Sequence, residues 1–278
     1  MVQQTLREIF SGYVKKPRIF KNREVLGHDY IPDVAVHREQ QIKHLADILS
    51  PAIDGHKTSN VFLYGKTGTG KTLVARQVTS ELERISQNVA VLYINCKMRR
   101  VADTEYRVFA ELTRQLGCPV PTTGLPTDHV YSLFYENLEN TGKVVITILD
   151  EIDALVKKIG DDILYNLTRA NQELKNSKIS IIGISNNISF IETLDPRVRS
   201  SLSEEEIIFP PYNASQLQDI LKKRAEMAFY PGVIERGVIE KCAALAAQEH
   251  GDARKALDLL RVAAELAERA REPKVTTR

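Results

Sequence analysis

The chain has 278 residues, 43% apolar and 27% charged, with 38 Lys+Arg against 36 Asp+Glu and a net charge of +2. It is too apolar to be disordered and long enough to bury a core without disulfide or metal staples. Near-neutrality gives no support to wholesale polyanion binding, so only the local distribution of charge bears on nucleic acid. Three scattered cysteines, Cys96, Cys118 and Cys242, form no CxxC pair, which excludes a structural zinc site and a disulfide framework. They are expected as small buried apolar groups. There is no apolar run of the ~20 residues a membrane span needs, and MVQQTLREIF lacks a signal-peptide core. The expectation is a soluble, cytoplasmic protein with no membrane partner.

In chain order, residues 1–30 mix Arg7, Lys15, Lys16, Arg18, Lys21 and Arg23 with Phe10, Tyr13 and Phe20. That composition suits an arm pinned by its aromatics to the main domain, or a contact to a polyanion. Residues 38–50 have helical periodicity through Ile42, Leu45, Ile48 and Leu49. Just upstream, Tyr30-Ile31-Pro32 and Val36-His37-Arg38 could line a wall for a base, making Val36 and Arg38 candidate nucleotide contacts. Strands are expected at 60–64 (NVFLY), 89–94 (VAVLYI), 144–149 (VVITIL), 179–185 (ISIIGIS) and 206–209 (EIIF). Unalternating apolar runs separated by helical segments indicate a parallel sheet covered on both faces. The stretch 97–140 is longer than an ordinary crossover and reads as a helical hairpin turning at Cys118–Thr127. Beyond Pro210-Pro211 only helices are expected, at 214–228, 234–248 and 252–270, with Asp252 as an N-cap. The division is therefore 1–211, a nucleotide-binding core with its N-terminal arm and hairpin, and 212–278, a helical lid.

Gly65-Lys66-Thr67-Gly68-Thr69-Gly70-Lys71-Thr72 follows an apolar strand and opens a helix, the context of a phosphate-binding loop. Glycines let backbone amides converge on a phosphate, and the helix N-terminus adds positive potential. Lys71 is expected on the β- and γ-phosphate oxygens and Thr72 on Mg2+. The strand ending in Asp150-Glu151 is expected to run beside the loop's own strand. Asp150 would hold the metal through water, and Glu151 would polarise an attacking water, so the pair indicates ATP hydrolysis. Asp153 reads either as a helix cap, the favoured reading, or as a support behind the site's carboxylates. Asn186, at the end of the fourth strand, reads either as a turn residue or as a contact to the γ-phosphate or water, with Asn187 behind it. Arg197 and Arg199 read either as surface ion-pair partners or as arginines reaching a neighbouring subunit's ATP. Arg254, in the first turn of a helix, sits against the helix dipole and invites an anion. Tyr212, where the chain leaves the core, and Arg224, on the first helix beyond, read either as nucleotide contacts or as hinge packing.

Taken together, GKTGTGKT, ILDEID, ISNN, LDPRVRSSL, FPPY and HGDARKALDLL, with YIPDVAVHREQQI in front, resemble the archaeal Orc1/Cdc6 replication initiators of the AAA+ ATPases. The likeness runs from about residue 10 to residue 270. It implies an α/β fold, an AAA+ P-loop NTPase with a five-stranded parallel sheet and a small all-helical lid. It also implies ATP or ADP with Mg2+, slow switch-like hydrolysis, origin duplex DNA as ligand, and other initiator subunits and the replicative helicase as partners near the nucleoid. Asn186 matches the family's first sensor and Arg254 its second; Tyr212 and Arg224 match nucleotide-contacting positions. Arg197 is favoured as the trans finger, although the chain reads Arg199-Ser200-Ser201 where other AAA+ branches often carry Ser-Arg-Cys. The hairpin resembles the initiator-specific insertion, which implies DNA contacts at Arg99, Arg100, Cys118, Pro119, Thr122, Thr123 and Gly124, with Lys97, Arg107 and Arg114 alongside; the alternative is a hairpin making protein contacts only. Family members continue into a winged-helix domain, whereas this sequence stops after REPKVTTR, so weaker DNA binding is expected. Two other readings stand: a clamp- or helicase-loader-like ATPase, and a nucleotide-locked scaffold without turnover.

Overall fold

The structure is a computed structural model describing residues 18–27, 30–32, 34–98, 102–121, 123–202 and 204–277. The chain divides into two compact units, residues 33–210 and residues 1–32 with 211–278.

The first unit runs α1 (Glu39–Leu49), β1 (Asn60–Tyr64), α2 (Lys71–Ile85), β2 (Val89–Asn95), α3 (Glu105–Gln115), α4 (Thr127–Thr141), β3 (Val144–Asp150), α5 (Ile152–Ile159), α6 (Asp162–Glu173), β4 (Lys178–Ser185), α7 (Pro196–Leu202) and β5 (Glu204–Ile208). The strands form one five-stranded sheet in the order β2-β3-β4-β1-β5, every pairing parallel. Alternate residues of each strand enter different cores. Phe62, Tyr64, Val145 and Leu149 join the helices after β2, while Val61, Leu63, Ile146 and Ile148 join α1 and α2. Both faces are dry, which is why the strands read as continuous apolar runs. Thr147 lies mid-strand in β3, its hydroxyl buried with no hydrogen-bond partner.

One expectation about the sheet is corrected. The neighbour of β1 is β4, and β3 lies one strand further out. Asp150 still reaches the phosphate loop because α2 leaves that loop and crosses the sheet, packing on β4, β3 and β2. The side chain that meets Asp150 is carried on this helix.

The hairpin is α3–α4, inserted as the β2-to-β3 crossover. Phe109 packs on Tyr131 and Phe134 with ring centroids 4.1 and 5.1 Å apart. The Tyr131 hydroxyl donates to Glu105, and the Asn166 amide of α6 donates to Glu105 Oε1 at 3.2 Å. These bonds fix the base of the hairpin to the sheet's helical layer.

The second unit contains α8 (Ala214–Ala228), α9 (Val238–Glu249) and α10 (Ala253–Ala270). Asn213 and Gln216 form a capping box on α8, and the Asp252 side chain caps α10 by accepting from the Arg254 and Lys255 backbone N–H groups. The turn between α9 and α10 needs glycine. Gly251 has φ +66°, and a Cβ there would lie 2.4 Å from the Tyr212 carbonyl oxygen.

The described part of the N-terminal segment belongs to this unit rather than to the sheet domain in which the sequence reading placed it. Phe20 bridges to Phe229, the Tyr230 N–H donates to Ile19 O at 3.1 Å, and Ile19, Val25 and Leu26 are buried with Leu217 and Leu260. An apolar triplet of this kind seeks whichever core can cover it. Arg7, Phe10, Tyr13, Lys15 and Lys16 lie outside the described residues.

Candidate functional site

All five strands are parallel, so their C-terminal ends share one edge, and that is where ligands bind in open α/β sheets. At this edge β1 ends in the Gly65–Thr72 loop, β3 in Asp150-Glu151 and β4 in Ser185-Asn186. Gly65, Gly68 and Gly70 adopt φ of +153°, +71° and +93°. A Cβ on Gly65 would sit 2.4 Å from the Phe209 carbonyl oxygen, so the loop can begin only with glycine. Gly65→Ala is expected to lower stability by about 1–3 kcal/mol through that clash, read as a fall in the thermal midpoint without nucleotide.

Lys71 opens α2 and is 5% exposed. Its ammonium donates to Gly65 O at 2.7 Å, Lys66 O at 2.9 Å and Asn186 Oδ1 at 2.9 Å. Lys71 and Asn186, the residue after β4, are therefore held together. Asn187 serves the turn itself, its backbone N–H donating to Ser185 Oγ at 3.0 Å. The loop closes internally through Thr69 Oγ1 donating to Lys66 O at 2.8 Å.

Thr72 Oγ1 donates to Asp150 Oδ2 at 2.9 Å. A hydroxyl that spends its proton on a carboxylate keeps lone pairs for a cation. Among the described residues no group of three or more His, Cys, Asp or Glu forms a metal cage. The Thr72–Asp150 pair instead suits Mg2+, which takes hard oxygens and is held by one or two carboxylates together with substrate phosphates. The residues fit that ion.

Glu151 follows at φ +56°, a left-handed conformation uncommon outside glycine, and its carboxylate lies 3.3 Å from Lys97 Nζ. Conformations of this kind cost of order 1–3 kcal/mol and gather at functional sites. Of the two readings of Asp153 the cap is corrected: it caps no helix and instead accepts from Ser185 Oγ at 3.0 Å, tying β4 to α5. Burial, joined by the charges of Asp150, Asp153 and Glu151, pushes the Cys96 thiol up.

Two neighbours of the site had no counterpart in the sequence reading. The Tyr93 hydroxyl donates to Asp150 Oδ2 at 2.8 Å, and the Arg76 guanidinium sits over its ring at 3.9 Å. Burial, then the Asp150 charge, pushes the Tyr93 phenol up to about 12, so it stays protonated and donating. Its only sequence signal was a polar-tipped aromatic near the end of an edge strand.

Arg38 is buried and braces the loop from its own unit, donating to Thr69 O at 2.8 Å and Pro210 O at 2.5 Å with its guanidinium near the Phe209 ring. Val36 is half-buried beside it. Arg197 and Arg199 are exposed on α7, and Arg197 Nε pairs with Asp195 at 3.3 Å. On the helical unit, Arg224 is buried, donates to Val25 O at 3.3 Å and stacks over Tyr30, which gives it a packing role there. Tyr212 is buried, and Arg254 is exposed. At the hairpin turn Pro119, Thr123 and Gly124 are exposed and Cys118 is half-buried; Arg99, Arg100 and Thr122 lie outside the described residues. Arg107 and Arg114 pair with Asp103 and Glu111. Among the described residues no helix is long and apolar enough to cross a membrane.

Comparison with known proteins supplies an independent line. Residues 54–189 match the model of the AAA domain, and residues 218–278 match that of the Cdc6 AAA+ ATPase-type lid domain. The chain is 56% identical to the ORC1-type DNA replication protein of Pyrococcus abyssi over 282 residues, covering 99% of this chain and 67% of that protein. It is 58% identical to ORC1-type DNA replication protein 1 of Archaeoglobus fulgidus, covering 96% and 65%. The structure of the Aeropyrum pernix ORC1 protein in complex with DNA superposes with a TM-score of 0.84 at 50% identity, covering 93% of this chain and 67% of that one. The chain thus spans about two thirds of the length of the relatives it matches.

Proposed function

Since the chain belongs to the ORC1/Cdc6-type AAA+ ATPases, we propose that it binds and slowly hydrolyses ATP as a switch on duplex origin DNA. The observation that carries the enzymatic half is the convergence of Lys71, Thr72, Asp150, Glu151 and Asn186 at one sheet edge. Lys71 balances phosphate charge, and Asn186 holds the lysine and orients the attacking water. Glu151 accepts the proton of that water. Bound Mg2+ would neutralise charge developing on the β- and γ-phosphate oxygens; Thr72 and Asp150 are the residues to hold it. Arg197 is proposed as the finger toward a second subunit. Its ion pair with Asp195 is exposed and contributes little, so exchanging it for a phosphate costs little. The nucleotide roles of Tyr212, Arg224 and Arg254 follow from the resemblance, those of Val36 and Arg38 from their place just before α1, and all belong to the same proposal.

For DNA, the relative from Aeropyrum pernix was solved in complex with it, and the exposed Pro119, Thr123 and Gly124 at the hairpin turn are the proposed contacts, with Cys118, Thr122, Arg99 and Arg100. The turn offers backbone amides and hydroxyls, chemistry that positions a protein on phosphates without reading bases. Recruitment of a replicative helicase, association with other initiator subunits and a cytoplasmic, nucleoid-associated location complete the proposal.

The test is a titration of the chain against origin-derived and random duplexes at two salt concentrations with ATP or ADP. Binding that weakens with salt, and that weakens further when Thr123→Glu places a charge at the turn, supports the reading. Duplex binding indifferent to Thr123→Glu would remove the hairpin from the interface. Duplex binding absent in both nucleotide states would turn the reading toward a loader-like ATPase.

A further inference from the structure

We propose that Tyr93 is a positioning residue for the magnesium-side carboxylate, setting how tightly the site takes up Mg2+ with its nucleotide. Asp150 ends the fully buried strand β3 and is itself 5% exposed. One of its oxygens, Oδ2, accepts from two neutral hydroxyls, Thr72 Oγ1 at 2.9 Å and Tyr93 Oη at 2.8 Å. Two donors on one oxygen fix the plane of the carboxylate. They approach from different elements, Thr72 from α2 and Tyr93 from β2.

The phenol is itself held. Arg76, one helical turn beyond Thr72 on α2, stacks its guanidinium on the tyrosine ring. The Tyr93 backbone is clamped too, its N–H donating to Gln115 Oε1 at 2.9 Å while Gln115 Nε2 donates to Tyr93 O at 2.9 Å. Gln115 is the last residue of α3, the first helix of the inserted hairpin. A residue so braced has few conformations to lose, so its hydroxyl presents a pre-set donor. Partners that orient metal-holding carboxylates commonly change metal affinity 10–100-fold when removed.

Tyr93→Phe keeps the ring, the stacking and both backbone bonds, and deletes one hydroxyl. This inference rests on the magnesium reading of Thr72 and Asp150, and the experiment separates the two. Binding of a fluorescent ATP analogue to the full chain is followed in excess EDTA and then across a Mg2+ titration. The expected result is unchanged affinity in EDTA, a thermal midpoint in EDTA close to wild type, and a Mg2+ midpoint raised about tenfold. If the wild type itself shows no Mg2+ dependence, the metal reading fails and takes the tyrosine with it. If the wild type responds to Mg2+ and Tyr93→Phe responds identically, the tyrosine proposal alone is overturned. Equal loss of affinity with and without Mg2+ also overturns it, since that would be a packing effect on the whole loop. Arg76→Gln serves as the second variant. It leaves the hydroxyl but removes the stack, and should raise the midpoint by a smaller factor; an unchanged midpoint there overturns the bracing step.

Discussion

Lys71→Ala should abolish ATP binding while leaving the fold in place. The ammonium lies in the interior of the loop, 5% exposed, and is satisfied by two loop carbonyls and the Asn186 amide oxygen. A phosphate brings the opposite charge and stronger, charge-assisted bonds, each worth about 1.5–3 kcal/mol. Removing the lysine therefore removes at least one such bond to the β/γ oxygens together with the Coulomb term. A fall in affinity of about a hundredfold or more is expected. The nucleotide-free protein pays no comparable penalty, because the alanine variant also loses a buried cation. The measurement is the thermal midpoint with and without ATP. Ligand at a hundred times its Kd stabilises by about 2.7 kcal/mol, and this ATP-dependent rise should vanish in Lys71→Ala while the midpoint without ATP moves by a few degrees. An ATP-dependent rise of full size in the variant would take the phosphate contact away from Lys71.

Residues with local causes were legible in the sequence. The Gly65–Thr72 loop could be read because strand, glycines and helix start are contiguous, and each glycine answers a local backbone demand. The α8 boundaries and the Asp252 cap were read the same way. What depended on partners distant in sequence was not. Strand order is one case: nothing in β3 says that β4 will insert between it and β1. The last strand is another. It was expected at 206–209, yet β5 is Glu204–Ile208 and pairs with β1 from Asn60↔Glu204 onward. An edge strand needs apolar residues only where it meets the layers, so the acidic start carried no strand signal. Val25 and Leu26 gave no hint of which unit would bury them. Tyr93 was missed for the same reason, since its partner Asp150 is 57 residues away and only the parallel register of β2 on β3 brings them together.

The separation of binding from turnover rests on Glu151, and Glu151→Gln should keep nucleotide affinity while cutting hydrolysis by about 10²–10⁴-fold, the range of a lost general base. The residue stands where β3 ends and α5 begins, in a left-handed conformation at φ +56°. Glutamine has the same shape and can hold the same backbone, so the strained turn is preserved. It cannot accept the proton of a water. Binding should be spared because the residues placed to hold phosphate and metal are Lys71, Thr72 and Asp150. Stability should be spared as well. The ion pair lost is with Lys97, whose side chain is 74% exposed, and such pairs contribute little in high dielectric. Lys97→Ala separates the two roles of the carboxylate. It removes the ion pair but leaves the base, so its hydrolysis rate should stay within severalfold of wild type while that of Glu151→Gln collapses. Single-turnover hydrolysis with saturating ATP and Mg2+ reads the chemical step directly, and a parallel binding titration reads affinity. Turnover in Glu151→Gln equal to wild type would remove the glutamate as base and move the search for one to Asp153, which Ser185 already holds at the same sheet edge. Loss of binding together with turnover would instead make the Glu151 turn a structural part of the loop's platform. Retained binding with collapsed turnover is the outcome the geometry supports, because the strained glutamate pairs with the exposed Lys97 and has a carboxylate open to solvent for part of its surface.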